Sequence, residues 1–290
     1  MESRIVSVDG LSIATTYHPA APVAAGTPLL VALHGGTYSS AYFGVAGGTL
    51  GSFLDLAFRN GFDVLAVDRP GYGASDGLPE AENTFARQAE ILDRAVEQSL
   101  ADRPATGVVL VGHSIGGMIC LEIAARRPRW PLIGVATTGM GARIPSGGAA
   151  EQLGSLPLSG VVDLPVAERD GVMFGPAGTF TDEGRKAAHD SYAPVPFVEL
   201  AAAPQWARTR LATVAAEIDV PVHNVLAEHD ALWDSSAEAR ADFAARFTAP
   251  VTVELAPATG HSIDHHVLGA ALHLRQLAFA YSCGAAAALP

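Results

Sequence analysis

The feature that most restricts this chain is a short apolar run that ends in a glycine-flanked serine and passes straight into a second apolar stretch. Val108-Val109-Leu110-Val111 is β-branched and short. It leads into Gly112-His113-Ser114-Ile115-Gly116, then Gly117-Met118-Ile119-Cys120-Leu121-Glu122-Ile123-Ala124, which stops near Pro128. Strand, sharp turn and helix in that order predict a parallel α/β layer with Ser114 lifted to the carboxyl edge of the sheet. The flanking glycines would avoid clashes between strand and helix. The helix N-terminus would offer free N–H groups and positive dipole to a developing oxyanion. A serine here could instead just cap the helix, but a cap needs no glycine two residues away on both sides. The pattern G-x-S-x-G occurs a second time, at Gly73-Ala74-Ser75-Asp76-Gly77, beside Pro70-Gly71-Tyr72. No helix can start cleanly there, so that copy reads as a turn-rich loop.

Other segments extend the α/β reading. Arg4 to Val8 and Leu11 to Tyr17 alternate in polarity around Asp9-Gly10, a two-residue hairpin signal. Leu29 to Leu33 and Val64 to Val67 are, like Val108 to Val111, apolar throughout, the pattern of strands buried on both faces of a parallel sheet. Leu132 to Ala136, Val222 to Leu226 and Val251 to Leu255 are further strand candidates. Thr84 to Gln98 carries a helical stripe of Phe85, Ala89, Leu92 and Val96. Alternation of this kind predicts a mostly parallel, doubly wound α/β sheet. It breaks between about Gly141 and Ala207, a Gly- and Pro-containing stretch with short helical patterns such as Thr181 to Ser191. That is too long for a loop in a compact domain. The expectation is a core of 1–140 and 208–290 with a cap inserted at 141–207. There are no internal repeats, and the end, from Cys283 onward, reads as a frayed tail.

Composition excludes some partners. Of 290 residues, 30 are acidic and 18 are Lys or Arg, a net charge of −12. A chain this acidic is poorly suited to nucleic acid or an anionic membrane surface. Cys120 and Cys283 are too few for a disulfide framework or zinc site, and Cys120 reads as a core residue. The N-terminus lacks a basic start with an apolar run, and no apolar stretch reaches membrane-spanning length. A cytoplasmic protein is the expectation.

The Gly112–Gly116 segment resembles the nucleophile elbow of the α/β-hydrolase family, and other landmarks occur in the family's order. Leu33-His34-Gly35-Gly36-Thr37 follows the first buried strand, where the family carries an HG oxyanion loop. Asp68-Arg69-Pro70-Gly71-Tyr72-Gly73-Ala74-Ser75 resembles the family's D-x-P-G-x-G-x-S segment, which makes the second G-x-S-x-G a structural loop. The resemblance implies a nucleophile at Ser114 and a base at His261, in the loop after the last strand candidate. It implies the orienting acid at Asp230, after the preceding strand, with Glu228 and Asp234 as neighbours. The oxyanion hole would be the backbone N–H groups of Ile115 and Gly36, with Thr37 second to Gly36. His34 and His113 are expected to be structural, and His265 and His266 to lie on the final helix. A metal pair of His261 and His265 has no third ligand in the sequence to support it.

The chemistry implied is acyl transfer to water through an acyl-enzyme on Ser114, with no metal or organic cofactor required. Esters, thioesters, lactones and amides all qualify, with carboxylesterase or thioesterase at the centre. Tyr38, Met140, Phe174, Trp206 and Trp233, expected near the mouth, point to a small hydrophobic substrate. C–C bond hydrolases and lyases of the same fold, and small-molecule receptors with intact triads, are the competing readings. Epoxide and haloalkane hydrolases of the fold use an aspartate nucleophile, which Ser114 argues against. No G-x-G-x-x-G follows any strand candidate, which argues against an NAD enzyme. The natural substrate and the oligomeric state are not encoded legibly.

Overall fold

The chain opens with a hairpin whose turn is set by two residues. Strands β1 (Glu2–Val8) and β2 (Leu11–His18) pair antiparallel across Asp9 and Gly10. Both turn residues have positive φ, 50° and 82°, as the tight turn between right-twisted strands requires. The computed structural model describes residues 1–20, 26–156 and 159–289. After the hairpin come β3 (Leu29–Leu33), α1 (Phe53–Arg59), β4 (Val64–Val67), α2 (Phe85–Ala101), β5 (Val108–His113), α3 (Ile115–Ala125) and β6 (Leu132–Thr138). The long excursion follows, with α4 (Ala149–Ser155), β7 (Val161–Val162), α5 (Val166–Met173), α6 (Asp182–Asp190), β8 (Val195–Pro196) and α7 (Phe197–Thr209). The chain then returns through α8 (Leu211–Glu217), β9 (Val222–Ala227), α9 (Ala237–Ala244), β10 (Val251–Ala256) and α10 (Gly269–Ala287).

Eight strands form one sheet in the order β1-β2-β4-β3-β5-β6-β9-β10. β2 runs antiparallel to β4, and every pairing from β4 to β10 is parallel. The apolar strands have no polar face because both faces are covered. Leu29, Val31, Leu33, Val108 and Leu110 pack on one side with Leu92 of α2 and Met118 of α3. Leu30, Ala32, Val109 and Val111 pack on the other with Phe53 of α1 and Leu277 of α10. Period-2 side-chain alternation between two buried layers is what a doubly wound sheet demands.

Two local expectations are corrected. The end of the chain is not frayed: α10 continues to Ala287, and Cys283 is buried. Gly134 of β6 leaves room for it, since a Cβ there would stand 2.8 Å from the Cys283 Sγ. His265 and His266 are not on the final helix, which starts only at Gly269. His265 ends a short 3₁₀ turn, Ile263–His265, and His266 caps it. The excursion is helical, as its patterns predict, with Thr181 capping α6 through Gly184 N–H. Its expected end at 207 lies inside α7. No helix among the described residues is long and apolar enough to cross a membrane.

Candidate active site

Parallel strands deliver their C-terminal loops to one edge, and the predicted residues converge there. Ser114 sits between β5 and α3 with φ 52° and ψ −121°. A serine rarely adopts such angles, and strain of this kind is held only where the surroundings dictate it. The surroundings are tight. A Cβ at Gly116 would lie 2.1 Å from the Leu33 carbonyl oxygen, and one at Gly112 would lie 2.7 Å from the Cys120 Sγ. Only glycine lets helix and strand approach so closely, and the turn is tied to β6 by Ser114 N–H donating to Thr138 O at 2.7 Å. The Ser114 side chain makes no cap hydrogen bond. Its hydroxyl is therefore not spent on capping the helix.

His261 Nε2 lies 3.0 Å from Ser114 Oγ, and His261 Nδ1 lies 3.0 and 3.1 Å from the Asp230 carboxylate oxygens. A carboxylate only accepts, so Nδ1 carries the proton and Nε2 is left to accept from the serine hydroxyl. Asp230 follows β9 and is fixed by more than the imidazole: its Oδ1 also accepts from the N–H groups of Leu232 (2.9 Å) and Trp233 (3.2 Å). Its neighbours are occupied elsewhere. Glu228 accepts from Ala258 N–H at 2.8 Å, shaping the turn before His261, and Asp234 accepts from Ser236 N–H at 2.9 Å. His265 Nε2 lies 3.3 Å from the Tyr42 carbonyl oxygen.

A sequence profile of the alpha/beta hydrolase family matches residues 30–271. The chain belongs to the alpha/beta hydrolase family. It is similar to a candidate non-heme haloperoxidase of Mycobacterium phage D29, 30% identical over 124 residues, which are 43% of this chain and 38% of that protein. The chain thus matches well under half the length of this relative. Among solved structures, it resembles a membrane phospholipase A described as a bacterial virulence factor, with TM-score 0.69, 20% identity, and coverage of 97% of this chain and 86% of that one. It also resembles E-2-(acetamidomethylene)succinate hydrolase, with TM-score 0.68, 22% identity, and coverage of 96% and 98%.

In this alpha/beta hydrolase the second G-x-S-x-G is a brace beneath the site. Asp68 accepts from Ser40 and Ala74 N–H groups, and Ser75 Oγ donates to Asp68 O while accepting from Ala14 N–H. Gly73 has φ 56°, and a Cβ there would fall 1.9 Å from Asp68 Oδ2. The loop therefore ties β2 to the β4 end.

The histidines near the site divide by partner. His34 Nε2 accepts from Arg69 N–H at 3.1 Å, so its Nδ1 is the donor to Gly35 O at 2.8 Å. His113 Nδ1 pairs with Thr138 Oγ1 at 3.1 Å, and its ring stacks on Tyr42. Burial drives both imidazoles well below the usual histidine range, so both stay neutral. His266 Nε2 accepts from both Gly175 and Gly260 N–H at 2.9 Å, and its Nδ1 donates to Ser262 O at 2.9 Å. It pins the His261 loop to the segment after α5. Burial lowers its pKa as well. Asp264 accepts from Tyr42 Oη at 2.7 Å and pairs with His273 at 3.1 Å. Burial would raise that carboxyl, but the His273 hydrogen bond and charge outweigh it and hold it below the usual range.

A cavity of about 290 Å³ adjoins the site, lined by Thr37, Leu156, Leu164, Met173, Leu200 and Leu232 among others. Leu200 Cδ2 stands 3.2 Å from where a Gly36 Cβ would be, and the Met173 carbonyl accepts from Ser262 N–H. None of the five residues expected at the mouth lines it. Trp206 lies against α2 and α3 instead, donating to Glu122 at 2.8 Å, and Met140 fills the core over Gly117. Tyr38, Phe174 and Trp233 are buried in packing around the His261 loop and the Asp230 turn. Thr37 is a β-branched residue at φ 64°, with a buried hydroxyl that has no hydrogen-bond partner among the described residues.

Sequence reasoning missed a buried cluster behind the oxyanion loop. Arg69 and Glu199 form an ion pair at 3.0 Å with both side chains fully buried. Arg69 also donates to His34 O, Gly35 O and Gln88 Oε1. Glu199 accepts further from Tyr72 Oη and Gln88 Nε2. Arg69 stood inside a recognised segment, but nothing in the sequence marks Glu199, on α7, as its partner.

Proposed function

We propose that this protein is a serine hydrolase that cleaves an ester-like bond, whether ester, thioester, lactone or amide, of a small, predominantly apolar substrate through an acyl-enzyme on Ser114. The observation that carries the reading is the unbroken line from Asp230 through His261 to Ser114, with every link near 3 Å. Ser114 Oγ attacks the carbonyl carbon while its proton passes to His261 Nε2. Asp230 keeps the imidazole in the accepting tautomer and stabilises the imidazolium that results. The tetrahedral oxyanion sits against the N–H groups of Ile115, in the first turn of α3 where no intrahelical acceptor exists, and of Gly36. Collapse expels the leaving group, which takes the proton from His261. Water, deprotonated in turn by His261, attacks the acyl carbon and restores Ser114.

The cavity supports the substrate class. At about 290 Å³ it lies near the small end of ligand pockets, roughly 300–1,000 Å³. Most of its lining comes from the excursion at 141–207, including Leu156, Leu164, Val172, Met173 and Leu200. We assign that segment as a cap that shields the acyl group from water.

Labelling by a fluorophosphonate tests the nucleophile. The wild type should label and Ser114→Ala should not; equal labelling removes the assignment. Turnover of p-nitrophenyl esters of graded chain length then reads the acyl size, with a burst marking the acyl-enzyme. Tight ligand binding with no turnover would convert the reading to a receptor.

A further inference from the structure

The planarity of one peptide links the buried Arg69 to the site. The Gly35 carbonyl accepts from His34 Nδ1–H at 2.8 Å and from Arg69 Nη2–H at 3.1 Å. The C=O of Gly35 and the N–H of Gly36 belong to the same peptide unit and, in a trans peptide, point in opposite directions. Fixing the oxygen on the guanidinium side therefore turns the Gly36 N–H to the other side. The loop packs directly on the nucleophile turn: a Cβ at Gly35 would fall 3.1 Å from Ser114 Cβ, and one at Gly36 would fall 3.2 Å from Ile115 Cδ1. The adjoining His34 carbonyl is also held, by Arg69 Nε at 2.8 Å. Two donors on one carbonyl also polarise the peptide, which strengthens its N–H as a donor.

The guanidinium is itself immobilised. Glu199 Oε2 takes Nη2 at 3.0 Å, and Gln88 Oε1 takes Nη1 at 2.8 Å. Gln88 Nε2 and Tyr72 Oη then satisfy the remaining capacity of Glu199 at 2.6 and 2.9 Å. Replacing a fully buried ion pair by apolar packing commonly leaves a protein as stable or more so. Stability alone thus does not account for this one, while orientation of the loop does. Glu199 is carried by the first turn of α7, and the next residue, Leu200, lines the cavity and touches Gly36.

We propose that Arg69, anchored by Glu199 of α7, is a positioning residue that aims the Gly36 N–H at the substrate oxyanion, so that the docking of α7 sets the oxyanion hole. This rests on the serine hydrolase reading. Arg69→Lys retains the charge opposite Glu199 but cannot hold the His34 and Gly35 carbonyls together with Gln88. Full loss of one oxyanion donor costs ~10²–10³ in kcat. A misaimed donor should cost roughly 10–100-fold, with KM for p-nitrophenyl butyrate nearly unchanged. Phenylboronic acid, whose boron takes the Ser114 Oγ electron pair while the hydroxyl proton goes to His261, should lose affinity by the same factor. Glu199→Gln, which is isosteric, should move kcat and boronate affinity together in the same direction. Rates are taken per labelled serine, so a loss confined to folding would lower Tm and leave both values untouched. Either variant folding with kcat and boronate affinity within about 2-fold of wild type overturns the proposal. One measurement needs no variant: in ¹⁵N-labelled wild type, boronate should move the Gly36 amide downfield together with that of Ile115. A Gly36 amide that stays put while that of Thr37 moves overturns it as well. If the wild type takes no fluorophosphonate, the hydrolase reading itself fails and this proposal falls with it.

Discussion

Asp230→Asn changes one atom type in a site whose surroundings dictate how the amide must sit. Asp230 Oδ1 accepts from Leu232 N–H at 2.9 Å and Trp233 N–H at 3.2 Å, and its side chain is fully buried. An asparagine keeps those two bonds only if its oxygen takes the Oδ1 place. Its NH₂ then occupies the Oδ2 position, 3.0 Å from His261 Nδ1. That NH₂ opposes the Nδ1 proton and can itself donate to a bare Nδ1, which favours the tautomer with the proton on Nε2 over the one that keeps Nδ1–H on the amide oxygen at 3.1 Å. Nε2 lies 3.0 Å from Ser114 Oγ and is then unable to accept the serine proton. The imidazolium formed during attack also loses its counter-charge. A wrong tautomer of this kind costs ~10⁴ in kcat, about 5 kcal/mol at about 1.4 kcal/mol per tenfold step. Stability should fall far less, by about 1–2 kcal/mol, because volume and both backbone bonds survive. The assay is burst-titrated kcat on p-nitrophenyl butyrate, with urea unfolding as the control. A loss below about tenfold in kcat would refute the reasoning and require another group to orient His261. Glu228→Gln and Asp234→Asn serve as comparisons, and each should stay within about 3-fold, since their carboxylates hold turns.

Further outcomes follow from the packing. Gly116→Ala would place a Cβ 2.1 Å from the Leu33 oxygen and 2.5 Å from that of His34. Both are backbone atoms that cannot swing aside, so α3 must lift from β3. Urea unfolding should show a loss of about 1–3 kcal/mol or more, with activity lost in the folded fraction; an unchanged midpoint would refute the tight crossing. The buried histidines set an acid limit on stability. Burial lowers the His265 pKa from 6.5 to about 4, against weaker upward pulls from Asp264 and the Tyr42 carbonyl. The unfolded chain therefore binds the proton first as pH falls. The stabilisation is full above about pH 6.5 and drains away between there and about pH 4. A shift of that size corresponds to roughly 3 kcal/mol. Urea midpoints across this window should fall, and His265→Asn should flatten the slope; an identical slope in the variant would clear His265 of the effect.

How legible this protein was depended on the range of the interaction that decides each part. The strands were readable because a segment buried on both faces must be apolar throughout, as β3 and β4 are from end to end. The turn at Asp9-Gly10 and the close crossing at Ser114 were also local, since glycine acts within a few positions. The end of the chain was misread because small residues such as Ala285 and Ala286 look featureless alone, while the burial of Cys283 against Gly134 is set by a strand far away in sequence.

What the chain settled unaided, then, was the parallel α/β scaffold and the position of each loop that could bring a hydroxyl, an imidazole and a carboxylate to one sheet edge. Tertiary structure alone decided three other matters. It turned Glu228 and Asp234 to other partners while setting Asp230, the acid the resemblance implied, against His261; it lined the cavity mostly with aliphatic residues in place of the five expected at the mouth; and it joined Arg69 to Glu199. The physical reason is that a hydrogen bond or a cavity wall depends on angstrom-scale placement between segments whose separation along the chain carries no record of it, whereas burial and turn chemistry are written in the residues themselves.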